Sequence, residues 1–99
     1  MSFALDVSEL AEADLADAKD WYRKIRPGLD DQLVLCVEDT INRILENPTA
    51  YAIVLRDARR ALVRRFPYAI FYRVRGDCVQ VEAVFHGRKD PARLHDRIT

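Results

Sequence analysis

Residues 59–74 read RRALVRRFPYAIFYRV, and this stretch decides the fold. Arginines are threaded through aromatic and β-branched residues, the composition of half-buried strands. Pro67 divides the run, which predicts one strand over about 60–66 and a second over 68–75. Gly76-Asp77 is a two-residue turn signal leading into a third strand over 78–85, CVQVEAVF. With that turn setting the register, Val74 faces Val79, Tyr72 faces Val81, Ile70 faces Ala83 and Tyr68 faces Phe85, making one apolar face. The other face pairs Arg73 with Gln80 and Phe71 with Glu82. The expected sheet is apolar on one side and cationic on the other.

The chain before this stretch reads as one short strand and two helices. Phe3, Leu5 and Val7 alternate with Ala4 and Asp6, the period of a strand. Ser8 is a good N-cap, and Glu9 and Glu12 suit the positive end of a helix dipole. Ala11, Leu15, Ala18, Tyr22 and Ile25 then form one helical stripe, with Asp14, Asp17 and Asp20 expected in solvent. Pro27-Gly28 ends this helix. A second helix, over about 30–46, buries Leu33, Val34, Val37, Ile41, Ile44 and Leu45 and stops at Asn47-Pro48. The short break makes the pair an antiparallel hairpin. Residues 51–56 fit either a strand or a loop. After Gly87, Asp90 and Pro91 suit the start of a short C-terminal helix. The expected architecture is α+β, β-α-α-β-β-β, with an antiparallel sheet packed on a helical hairpin.

The 99 residues are expected to make a single domain spanning 1–99. Apolar residues are 49% of the chain and charged residues 32%, ordinary for a globular protein. No apolar run approaches the ~20 residues of a membrane span, and the N-terminus does not read as a secretory signal. A cytoplasmic location is the expectation. Cys36 and Cys78 lack metal-ligand spacing and read as reduced packing residues. No phosphate loop, nucleophile elbow, dinucleotide fingerprint or metal signature is present, so no cofactor or metal is expected. The formal net charge is zero, but the halves are opposed: acids dominate residues 1–50 and bases dominate 51–99. The cationic half calls for an anionic partner.

Several local features resemble the RelE/ParE superfamily of toxins from type II toxin–antitoxin pairs. They are Asp14-Leu15 and Trp21-Tyr22, Pro27-Gly28-Leu29, Ile44 with Asn47-Pro48, Arg59-Arg60, Arg65-Phe66-Pro67-Tyr68 with Phe71-Tyr72, and His86-x-x-Lys89-Asp90-Pro91. The resemblance implies the same β-α-α-β-β-β fold, a plasmid-stabilising, growth-inhibiting role, and an acidic antitoxin from an adjacent gene. It also implies a heterotetramer as one form of the complex. ParE-like members poison DNA gyrase; RelE-like members are mRNA interferases that act on the ribosome. The leading expectation is gyrase binding. The alternatives are a metal-independent endoribonuclease and a degenerate member that binds only its antitoxin.

For the nuclease reading, Arg65 and Arg88 would clamp a phosphate through their guanidinium forks, and His86 would transfer the proton. Glu82 is a candidate base. The tail, Ala92-Arg93-Leu94-His95-Asp96-Arg97, has no tyrosine where RelE-like nucleases often use one. For antitoxin or target binding the candidates are Arg59, Arg60, Arg64 and Arg73, with Trp21 and Tyr22. The structural alternatives are that His86 bonds Asp90, that Glu82 pairs with Arg64 or Arg73, and that Trp21 and Tyr22 belong to the core.

Overall fold

The helical stripes of the first half and the strands of the second half meet as a hairpin laid on a sheet. The computed structural model describes residues 2–86 and 91–98. In chain order the elements are β1 (Ala4–Val7), α1 (Glu9–Ile25), α2 (Leu29–Glu46), a 3-10 turn (Pro48–Ala50), β2 (Ile53–Leu55), β3 (Ala58–Leu62), β4 (Tyr68–Arg75), β5 (Cys78–His86) and α3 (Pro91–Ile98). The α+β reading holds. The sheet order is β1-β5-β4-β3-β2, with β1 parallel to β5 and the other pairs antiparallel. The sheet is therefore mixed, and the ambiguous residues 51–56 contribute its short outer strand.

Local chemistry sets the boundaries. The Ser8 hydroxyl accepts from the Ala11 N–H at 3.0 Å and caps α1. Gly28 takes φ +98° between the helices, a conformation that favours glycine. Asp30 accepts from the Gly28 N–H and pairs with Arg23 at 3.0 Å, tying the end of α1 to the start of α2. The Arg23 hydrogen bond holds the Asp30 carboxyl below its ordinary range. Gly76 takes φ +60° in the β4–β5 turn; Arg56 takes φ 52° in the β2–β3 turn.

The principal core lies between hairpin and sheet. It includes Leu33, Val37 and Ile44 of α2, Ala11 and Ala18 of α1, and Ile70, Tyr72, Val79 and Val81 of the sheet. Full burial of each large apolar side chain contributes roughly 1.5–3 kcal/mol. Tyr72 is wholly buried, and its hydroxyl donates to the Pro48 carbonyl. Burial pushes this phenol up to about 12.

The expected register holds from the turn to Tyr72, which faces Val81, and then fails. Phe71 faces Ala83, Ile70 faces Val84, Ala69 faces Phe85 and Tyr68 faces His86. Glu82 is the extra residue of a β-bulge, and one extra residue exchanges the faces of everything beyond it. Val84, not Ala83, joins the principal core. Ala69, Phe71, Ala83 and Phe85 form a second apolar cluster on the other face, where Leu94 of α3 packs against them. The face expected to be cationic is therefore apolar at its centre.

Candidate functional site

Where β5 runs beyond β1, its outer edge is closed by side chains. The pairing of β1 ends at Val7 opposite Val81. Beyond it, the Val84 N–H donates to Asp14 Oδ2 at 3.0 Å. Arg97 of α3 donates to the same carboxylate through Nη1 at 2.8 Å and Nη2 at 3.1 Å, and to the Glu82 carbonyl at 3.0 Å. Arg97 and Arg93 also lie over the Phe85 ring, 4.8 and 4.5 Å from its centroid. Asp14 is 7% exposed, not solvated as expected. Its spacing to Ala11 and Ala18 places it on the buried stripe, and Val84 and Arg97 satisfy its charge there.

The end of the sheet at Tyr68 and His86 forms a divided hollow. The two rings are tilted against each other with centroids 5.9 Å apart. On one side lies a space of about 260 Å³ bordered by Trp21, Asp17 and Arg93. On the other lies one of about 290 Å³ bordered by Arg60, Leu62, Phe66 and Pro67. His86 Nδ1 is buried and has no hydrogen-bond partner among the described residues. A third hollow of about 360 Å³ runs between α2 and β3, with Arg43, Tyr51, Arg60 and Arg64 on its walls.

The predicted site residues separate into engaged and open groups. Arg59 donates to the Thr49 and Tyr51 carbonyls at 3.1 and 2.6 Å, holding the turn before β2. Arg73 donates to the Ile98 carbonyl at the end of α3 and lies 3.0 Å from Asp57. Arg60, Arg64 and Arg65 are exposed. Arg65 takes φ +67° in the turn before β4, an uncommon conformation for arginine. It does not line the hollow that holds His86; Arg60 does. Arg88 and the expected Asp90 contact to His86 lie outside the described residues. Trp21 is 62% exposed. Tyr22 packs edge-on against Phe66, 5.0 Å between centroids, and burial raises its phenol. Burial likewise raises that of Tyr68.

Sequence reasoning missed Asp14, Arg97, Leu62 and Phe66. Asp14 was legible from its stripe position. Leu62 sits among arginines in the opening stretch and is 66% exposed. No group of His, Cys, Asp and Glu among the described residues is arranged to hold a metal ion, and no described helix is long and apolar enough to cross a membrane.

Comparison with known proteins now adds what the geometry leaves open. A model of the ParE toxin of the type II toxin–antitoxin system, parDE, matches residues 5–91. The chain belongs to the ParE toxin family. Toxin ParE2 of Mycobacterium tuberculosis, from strains CDC 1551 / Oshkosh and ATCC 25618 / H37Rv, is similar at 30% identity over 100 residues, covering 100% of this ParE-family chain and 95% of the relative. The fold is similar to a structure of the chromosomal ParDE system from P. aeruginosa, with TM-score 0.76 and 19% identity over 85% of this chain and 95% of that one. A mutant of E. coli toxin RelE in the free state matches with TM-score 0.63 and 19% identity, over 99% of this chain and 96% of that one. This ParE-family chain is thus a toxin of a type II toxin–antitoxin system.

Proposed function

We propose that this toxin arrests growth by binding DNA gyrase and is neutralised by an acidic antitoxin, without catalytic chemistry of its own. The observation that carries this reading is the separation of Arg65 from the His86 hollow. A phosphate clamp and a proton donor must reach one phosphate together. Instead, the exposed cations Arg60 and Arg64 flank an exposed leucine, a surface suited to a protein partner. Membership of the ParE family supports the same reading.

The direct test is a gyrase supercoiling assay with the purified protein, run beside a translation assay that monitors transcript integrity. Inhibited supercoiling with intact transcripts is the expected result. Cleaved transcripts with unimpaired gyrase would overturn the reading. A ribonuclease draws its support from one feature, the hollow that brings together Arg60, Tyr68 and His86, whose Nδ1 has no partner among the described residues. In that case His86→Ala would abolish cleavage. Under the gyrase reading the same substitution leaves inhibition within about twofold.

A further inference from the structure

We propose that the hollow between α2 and β3 binds a small molecule carrying two adjacent phosphoryl groups. The proposal goes beyond the reading above and does not depend on which enzyme the toxin poisons. The walls come from separate parts of the chain. Asp39 and Arg43 lie on α2, Arg60 and Leu62 on β3, Arg64 in the turn that follows and Tyr51 just before β2. Strand parity explains why they meet. Ala61 and Val63 turn into the principal core, so the alternate residues Arg60, Leu62 and Arg64 lie on the other side of the strand. β2 covers β3 only as far as the Arg60 N–H, which donates to the Ala52 carbonyl. Beyond that bond no described strand lies outside β3, and the hollow spans its edge from α2 to the arginines.

The charge around this space is unbalanced. Asp39 is its one carboxylate among the described residues, and it already lies 3.2 Å from Arg43. Arg60 and Arg64 are exposed, and neither guanidinium has a hydrogen-bond or ion-pair partner among the described residues. Three guanidiniums against one carboxylate leave two positive charges uncompensated. They also approach from two elements, so an anion between them is met from more than one side. A carboxylate offers two oxygens in one plane. A phosphoryl group offers three oxygens arranged tetrahedrally, and guanidinium forks can reach it from several directions. Two adjacent phosphoryl groups supply both the charge and the donor-facing oxygens. The volume of about 360 Å³ is at the lower end of small-molecule pockets. Tyr51 and Leu62 add an aromatic and an apolar wall, against which the body of a nucleoside diphosphate would pack. Inorganic pyrophosphate carries the same phosphoryl pair and leaves those walls unused.

The test is calorimetric titration of the full chain in magnesium-free buffer with ADP, inorganic pyrophosphate and adenosine. ADP, pyrophosphate or both should bind with a dissociation constant below about 1 mM and raise the melting temperature. Binding should weaken as salt rises, because the arginines are exposed. Adenosine should not bind. Tighter binding of ADP assigns an organic ligand, and equal or tighter binding of pyrophosphate an inorganic one. Arg60→Gln and Arg64→Gln should each weaken binding at least about tenfold. Without ligand both variants should melt with the parent, since neither side chain is buried. Two controls should leave affinity unchanged: Arg56→Gln, an exposed cation in the β2–β3 turn, and His86→Ala, at the neighbouring hollow that Arg60 also borders. Failure of both phosphorylated probes to bind at millimolar concentration would overturn the proposal. So would equal weakening by Arg56→Gln, loss of binding in His86→Ala, or sulfate competing as well as pyrophosphate at equal ionic strength. Binding of an oligonucleotide alone, with neither ADP nor pyrophosphate, would overturn it as well.

Discussion

Two strands of this sheet extend past their outer neighbours, and their edges are treated differently. β5 continues beyond Val81, where β1 stops, and Asp14 and Arg97 take up its Val84 N–H and Glu82 C=O. β3 continues beyond Arg59, where the pairing with β2 ends, and Leu62, exposed between two arginines, has no backbone partner on its outer side among the described residues. The first arrangement binds α1, β5 and α3 into one unit. The second contributes little to holding the monomer together. An edge sealed by buried charge is structural, whereas an edge bare among cations is available to a partner.

The largest effect should come from opening the sealed edge. Asp14→Ala strips the partner from a buried guanidinium, Arg97 being 14% exposed at the side chain, and from the Val84 N–H. A loss of about 3–5 kcal/mol is expected, read as a lower urea midpoint with an unchanged slope. A loss below about 1 kcal/mol would mean that the edge is not held by this pair.

Next is Tyr72→Phe, which leaves the buried Pro48 carbonyl without its donor. That turn precedes β2 and helps fix how much of β3 is covered. About 1–3 kcal/mol of destabilisation is expected in the same titration, with faster amide exchange across β2.

A smaller effect should follow pH. The Asp30 carboxyl is held below its unfolded value of 3.8, first by the Arg23 hydrogen bond. The folded state therefore binds this proton less readily than the unfolded state. The resulting stability is present above about pH 4 and is lost as pH falls through the depressed folded value. Comparing urea midpoints of the parent and Asp30→Asn between pH 3 and 7 tests this. The gap should narrow toward pH 3, and a constant gap would remove Asp30 from the acid limb.

The smallest effect should come from the bare edge. Leu62→Lys removes a side chain that is 66% exposed, so stability should change by no more than ~0.5 kcal/mol. A large loss in thermal melting would show that Leu62 supports the monomer after all.

Much of this was legible in the sequence because it follows local periodicity. Ser8, Gly28 and Asn47 punctuate the helices, and Gly76-Asp77 sets the first pairs of the β4–β5 hairpin. The bulge at Glu82 was not legible, because no glycine or proline marks it. Its consequence did leave a trace. Ala69 to Tyr72 and Ala83 to Phe85 are unbroken apolar runs, the pattern of strands covered on both faces. Strict alternation had left Phe71 and Phe85 on opposite faces. Arg59 and Arg73 were expected to face a partner, yet they and Arg97 bind carbonyls or carboxylates within the fold. Those pairings depend on tertiary neighbours far along the chain, which composition does not encode.

The bulge also bears on tolerance to changes in chain length. Deleting Glu82 would remove the bulge and leave Ala83 opposite Phe71, Val84 opposite Ile70 and Phe85 opposite Ala69, while taking away the carbonyl that Ser8 and Arg97 bind. A single-codon loss there should loosen the contact to α3 and leave the two faces of the sheet as they are. A codon gained in the turn between β3 and β4 should be absorbed by solvent-facing backbone. Homologues should therefore vary in length most freely at that turn.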